Sequence, residues 1–212
     1  MKNKTLEMAL EKIEGFEAPD VVLEQYKTPA AVAAPFLHLA YMSGDIEEKV
    51  VYDFGCGTGI LAIGAALLGA RRAVGFDIDN AAVLSAEQNK KKMGEDLPVD
   101  FEAADISAVS DKIISGELEA ADTVLMNPPF GAQEKGSDRP FLKAACGAGK
   151  VVYSIHNKGS YDFIEKFIRP AVITDCFAAE FPIRKTFDFH KKESQMIPVE
   201  IYRIDTSAGS RF

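Results

Sequence analysis

Apolar residues recur along this chain with two periods, a helical one near the start and an alternation of strand and helix from residue 49 onward. Leu6, Leu10 and Ile13 fall at helical spacing and predict an amphipathic opening helix that stops at Gly15. Thr28-Pro29 has the form of an N-cap followed by proline in the first helical position, so a second helix is expected over 29–42. Residues 50–54 read as a buried strand, and 59–68 as a small-residue helix closed by Gly69. Residues 73–76 form a second strand, followed by a helix over 80–93 with Asn80 as its cap. Strands are expected at Val99–Ala103, 123–126 and 151–155, with a helix over 161–168 after the last. Two late β-rich stretches, 171–181 and 197–204, have no helix between them and suit a terminal antiparallel pair. Alternating strands and helices predict an α/β protein whose mainly parallel sheet is covered on both faces. Its ligands should lie beyond the carboxyl ends of the strands.

Length and composition narrow this without changing it. With 212 residues, 47% hydrophobic and 26% charged, the chain reads as a single domain. A helical segment over 1–45 precedes a sheet-based core over 46–212. The three cysteines, Cys56, Cys146 and Cys176, show neither disulfide nor zinc-site spacing, so no metal is expected and a reducing cytoplasm fits. Glu7, Glu11 and Glu14 break any signal-peptide core, and the longest apolar stretch, 30–42, is too short for a bilayer and contains Pro35 and His38.

Charge argues against a broad nucleic-acid coat: the net is −8. The excess is uneven. Residues 1–140 hold 13 basic and 24 acidic side chains, whereas 141–212 hold 11 and 8.

Two motifs stand at strand ends. The first, Asp53-Phe54-Gly55-Cys56-Gly57-Thr58-Gly59, turns from strand to helix, its glycines letting backbone approach a ligand closely. Asp77 ends the second strand, 22 residues after Gly55, where a carboxylate can accept from both ribose hydroxyls of an adenosine. A dinucleotide fingerprint wants Gly or Ala where Ile60 stands, which disfavours a nicotinamide-dependent oxidoreductase. The G-x-G-x-G form is instead the kind seen with S-adenosylmethionine, and Asp53 suits that molecule's ammonium group better than a phosphate. Asp105, after the third strand, could accept from the adenine amino group with Ile106 against the ring, or be a solvated loop acid.

The second motif is Asn127-Pro128-Pro129-Phe130, after the fourth strand. Two prolines fix the backbone so that the Asn side chain and the Pro128 carbonyl offer two acceptors to one –NH₂ group. Accepting both protons of an exocyclic amine favours a pyramidal nitrogen whose lone pair can meet a methyl group, so positioning replaces a strong base. Phe130 offers a face for stacking a base turned out of its helix. A glutamine amide of a protein would suit Asn-Pro-Pro equally. A silent scaffold that only binds cofactor also remains open.

Asp53-Phe54-Gly55-Cys56-Gly57, Val74-Gly75-Phe76-Asp77-Ile78-Asp79 and Asn127-Pro128-Pro129-Phe130-Gly131 resemble the methyltransferase-like protein 5 family of archaea and eukaryotes. So do Gly15-Phe16-Glu17, Leu23-Glu24-Gln25-Tyr26-Lys27-Thr28, Tyr153-Ser154-Ile155-His156 and Phe189-His190-Lys191-Lys192, which extends the resemblance over nearly the full chain. It implies a class I S-adenosylmethionine-dependent methyltransferase, Rossmann-like with a reversed final strand, that methylates N6 of one adenosine in small-subunit ribosomal RNA. By matching position, Gln25, Thr28, Gly55, Asp77, Asp105 and Ile106 would contact the cofactor, with the turn at Gly57 and Gly59, and Asn127 to Phe130 would hold the adenine. The resemblance also implies a small zinc-binding activator protein pairing with the edge strand at Val99–Ala103.

For RNA itself, Arg184, Lys185, His190, Lys191 and Lys192, interleaved with Phe187 and Phe189, form the densest basic cluster, though a solvated hairpin would look the same. His156 could touch RNA or be a surface loop histidine.

Overall fold

The computed structural model describes residues 1–16, 19–20, 23–131, 136–184 and 194–207. The first helices are α1 (Asn3–Leu10) and α2 (Ala30–Met42). Strand and helix then alternate through β1 (Val50–Phe54), α3 (Ile60–Leu67), β2 (Arg72–Asp77), α4 (Asn80–Met93), β3 (Val99–Ala103) and α5 (Ile106–Ile114). The remainder is β4 (Ala121–Met126), α6 (Asp138–Ala148), β5 (Gly149–Asn157), α7 (Tyr161–Phe167), β6 (Val172–Arg184) and β7 (Ser194–Asp205).

These strands form one seven-stranded sheet in the order β3-β2-β1-β4-β5-β7-β6. The first five run parallel, and β7 is antiparallel to both β5 and β6. The late antiparallel pair is therefore present, with the last strand inserted inside the previous one. Side-chain alternation explains the layering. On β1, Val51 joins a core built with α1, α2 and α3, while Val50, Tyr52 and Phe54 join a second core beneath α5, α6 and α7. Leu125 of β4 faces the first core, and Val124 and Met126 the second. Leu6, Leu10 and Phe36 are fully buried in the first, so the opening helices pack on the sheet itself.

Several expectations shift. The opening helix closes at Leu10 rather than near Gly15, although Ile13 is still buried. Pro29, not Thr28, occupies the N-cap of α2, and Thr28 makes no capping bond. Asp79 rather than Asn80 caps α4, accepting from the Ala81 N–H at 2.9 Å. Two helices, α5 and α6, stand where no helix was expected. No helix among the described residues is long and apolar enough to cross a membrane.

Candidate active site

A cavity of about 560 Å³ opens at the carboxyl ends of β1, β2 and β4. Its floor is the glycine turn between β1 and α3, and its walls come from residues 23–28 before α2 and from the start of α6.

The turn is held from below by β2. Gly55 and Cys56 both donate backbone N–H groups to the Phe76 carbonyl, at 2.8 and 3.0 Å. Gly57 donates to Asp77 Oδ2 at 2.8 Å, and Asp77 Oδ1 accepts from the Asp79 N–H at 3.0 Å. Gly55 and Gly57 adopt φ of +70° and +52°, which glycine reaches without Cβ strain. Close approach matters as much: a Cβ on Gly55 would lie 2.8 Å from the Phe141 ring. Burial pushes the Asp77 carboxyl above the usual carboxylate range, opposed by the two N–H donors.

Asp53 lies fully inside. Its Oδ2 accepts from the Ala62 N–H in the first turn of α3 at 3.0 Å, while its Oδ1 has no partner. Burial pushes its pKa up to about 7; the Ala62 N–H pulls the other way and the charge of Asp77 adds to the rise. A buried carboxylate with one unsatisfied oxygen is costly unless a cationic ligand completes it.

Next to β1, at the end of β4, the Asn127 amide donates Nδ2–H to Thr28 Oγ1 at 2.9 Å, which leaves the buried Oδ1 without a partner. The side chain is thus oriented by α2's approach, with its acceptor unspent at the cavity wall. Pro128 is buried and Pro129 lines the cavity. Phe130 lies outside the lining residues: its ring makes a triangle with Tyr26 and Phe181, at 5.7 Å from each. The Tyr26 hydroxyl is buried beside Asn127; burial raises its pKa, the charge of Glu24 adds to the rise and the Asn127 side chain opposes it.

Gln25 lines the cavity and donates Nε2–H to Asp79 Oδ2 at 2.7 Å, the largest of the causes that hold Asp79 below the ordinary range. Asp105 and Ile106 line the cavity together, but one Asp105 oxygen is spent capping α5 through the Ser107 N–H. Gly59 does not line it; with φ +85° it precedes α3, where a Cβ would meet Phe101 at 2.7 Å.

His156 corrects an expectation. It sits within β5, 3% exposed, with Nε2 2.6 Å from Ser154 Oγ and Nδ1 3.4 Å from Asp138 Oδ2. That burial removes it from RNA and from the surface alike, and makes it the tie between β5 and the first turn of α6. The His156 ring is the first cause that draws the Asp138 carboxyl down. Of the basic cluster, Arg184 ends β6, while Lys185, His190, Lys191 and Lys192 lie outside the described residues.

Residues missed from the sequence complete the walls: Phe16, Ile78 and Phe141. Ile78 had a signal, being an apolar residue directly after Asp77 at the end of the second strand. Phe141 had none, because α6 was not recognised. Asn89, 2% exposed, was also missed: it exchanges bonds with the Glu14 backbone and donates to the Thr58 carbonyl at 3.0 Å, locking the segment before Phe16 onto the turn.

Comparison with known proteins places this cavity in context. The profile of the ribosomal protein L11 methyltransferase family (PrmA) matches residues 38–127, the stretch from α2 to the first residue of the Asn-Pro-Pro-Phe turn. Similarity to proteins named rRNA N(6)-adenosine-methyltransferase runs further. The Drosophila melanogaster Mettl5 is 38% identical, with 97% of each chain covered, and the Danio rerio METTL5 is 37% identical over 96% of this chain and 98% of its own. The crystal structure of a candidate RNA methyltransferase from Pyrococcus horikoshii superposes with a TM-score of 0.85 at 40% identity, covering 97% of this chain and 98% of that one.

Proposed function

The chain belongs to the METTL5 family of rRNA N(6)-adenosine-methyltransferases, and we propose that it transfers a methyl group from S-adenosylmethionine to N6 of an adenosine in small-subunit ribosomal RNA. The observation that carries the reading is the pair of buried, unpartnered acceptors that neighbouring strands β1 and β4 bring to one cavity, Asp53 Oδ1 and Asn127 Oδ1. One suits a cation, the other an amine.

The residues present fit that cofactor. The glycine turn leaves room for backbone approach, Asp53 offers its free oxygen to the ammonium group, and Asp77 has lone pairs left for ribose hydroxyls beyond its two backbone bonds. Ile78 and Ile106 supply apolar walls for an adenine ring, and the second Asp105 oxygen is available to its amino group. Gln25 and Thr28 act beside the cofactor by holding Asp79 and Asn127. When bound, S-adenosylmethionine supplies an electrophilic methyl group on a sulfonium.

The chain's own work is orientation. Asn127 Oδ1 and the Pro128 carbonyl accept the two amine protons of the target, so its nitrogen keeps a lone pair directed at the methyl group. The stiff backbone of Pro128 and Pro129 and the Thr28 hydroxyl keep these acceptors fixed, so little reorganisation is needed as charge develops. Phe130 braces the turn through Tyr26 and Phe181. The amine's surplus proton leaves to water after transfer.

At the far edge of the sheet, β3 exposes Asp100, Glu102 and Ala103 and pairs on one side with β2. Among the described residues no strand pairs with the other side of β3, and there a small zinc-binding activator would add one. We place the reaction in the cytoplasm, with the free thiols of Cys56, Cys146 and Cys176 consistent with a reducing compartment.

Incubation with labelled S-adenosylmethionine and small-subunit rRNA, followed by nucleoside mass spectrometry, should yield N6-methyladenosine. Asn127→Ala should lower transfer by about 10²–10³-fold with S-adenosylhomocysteine affinity nearly unchanged. Label in a protein or in another nucleoside, or normal turnover by the variant, would overturn the reading.

A further inference from the structure

Helix α7 carries a set of rings that the core does not require. Ile164 is fully buried and fastens the helix to the sheet, whereas Tyr161, Phe163 and Phe167 are each more than a third exposed. Phe163 and Phe167, four residues apart, stack with centroids 5.5 Å apart and planes at 29°. The guanidinium of Arg139 lies over the Phe163 ring, 5.1 Å from its centroid. Leaving more than a third of each ring exposed forgoes part of the gain from burying them. A cation held over one of them adds an anchor for phosphate.

This face adjoins the cavity. Arg139 is followed in α6 by Pro140 and Phe141, which line it. The loop before α7 reaches the catalytic turn directly: Asn157 Nδ2 donates to the Phe130 carbonyl at 3.3 Å, and Ser160 Oγ donates to the Asn157 carbonyl. Residues 139–170 hold six basic and two acidic side chains in a chain of net −8, but both acids, Asp162 and Glu165, stand on α7. Lys150 is spent on Asp122, and Lys143 and Arg169 line a separate cavity with Thr206, so Arg139 is the cation held over the Phe163 ring.

We propose that the ring face of α7 with Arg139 is a docking platform for unpaired RNA nucleotides flanking the target adenosine, an inference that rests on the function proposed above. A base has two flat faces whatever its identity, so a ring pair holds a neighbouring nucleotide without reading its sequence. Arg139 contributes a phosphate contact or stacks in its own right. A base drawn out into the cavity leaves its neighbours unstacked, and the platform offers them a replacement surface.

The test uses the full-length protein, small-subunit rRNA and an oligonucleotide spanning the modified site, with transfer, RNA affinity and cofactor affinity read separately. Phe163→Ala should raise the RNA KM and Kd by about tenfold, with S-adenosylhomocysteine affinity and melting temperature close to wild type. Phe163→Trp keeps a flat ring and should hold both near wild type, which separates stacking from mere folding. Arg139→Gln should weaken RNA binding and reduce the slope of log K against log salt by about 0.7. Unchanged RNA KM and Kd in Phe163→Ala and Arg139→Gln would overturn the platform alone, and would leave this face to a protein partner. Absence of transfer by the wild-type chain would instead overturn the parent reading.

Discussion

Asp53 is the residue whose chemistry depends most on burial. With its pKa pushed up to about 7, it is largely protonated in the free protein below neutrality. A carboxyl raised on folding contributes stability below its unfolded pKa and loses it as pH rises through the folded value, so the free protein should weaken between about pH 4 and 7. An ammonium beside Oδ1 reverses the preference, because it selects the ionised form. Affinity for S-adenosylhomocysteine, which carries that ammonium without a transferable methyl, should therefore rise about tenfold from pH 6 to 8. Calorimetry in two buffers would also show proton release on binding near pH 6. Asp53→Asn should flatten the profile and bind more weakly at pH 8; a flat wild-type profile would remove Asp53 from the ammonium site. At this scale the sequence showed which acids stand at strand ends, but not how their oxygens are spent. Asp77 holds the turn through Gly57, and Asp105 caps a helix, because backbone N–H groups at those ends need partners before any ligand arrives. His156 shows the reverse. Its spacing says nothing of the Asp138 and Ser154 partners that let it be buried.

Elements were legible wherever one period persisted. Strands β1, β2, β4 and β5 stand out because most of their positions are buried on both faces, whereas the edge strand β3 shows itself by alternating apolar and acidic residues. Helix α5 did carry a signal, since Ile106, Val109, Ser110 and Ile113 are its buried positions at helical spacing, but Ser110 masks the stripe. Helix α6 is harder. It buries Leu142, Ala144, Ala145 and Ala148, contains Pro140 and Gly147, and ends directly in β5 with no loop to mark it. Cross-strand fit was invisible too. Phe101 of β3 lies over Gly75 of β2, where a Cβ would stand 2.6 Å from the ring and 2.8 Å from Cys56 Cβ. Gly75→Ala should thus push Phe101 and the glycine turn apart, at about 1–3 kcal/mol. Thermal unfolding should read a clear fall in Tm, together with weaker cofactor binding. A Tm equal to wild type would mean that β3 shifts at little cost, as an edge strand free on one side can.

The whole molecule divides its charge by task. Four acids of residues 1–140, Glu24, Asp53, Asp77 and Asp105, line the cofactor cavity, whereas Arg139 stands in α6 beside Pro140 and Phe141 of its wall. The two ligands should therefore answer salt differently. RNA held by three or four phosphate contacts loses about 20- to 50-fold in affinity when salt rises fourfold. Cofactor contacts inside the cavity are screened far less, because little electrolyte reaches them. Raising salt from 50 to 200 mM should accordingly raise the RNA KM steeply while S-adenosylhomocysteine affinity moves within about twofold. Fluorescence anisotropy for RNA and calorimetry for the cofactor separate the two. Equal salt slopes would mean that RNA docks chiefly through rings; a negligible RNA slope with Arg139→Gln still harmful would assign Arg139 to stacking on bases. A net charge of −8 thus does not oppose RNA as a substrate. On the proposed platform, Arg139 and the rings of α7 would hold a strand beside one adenosine without coating it.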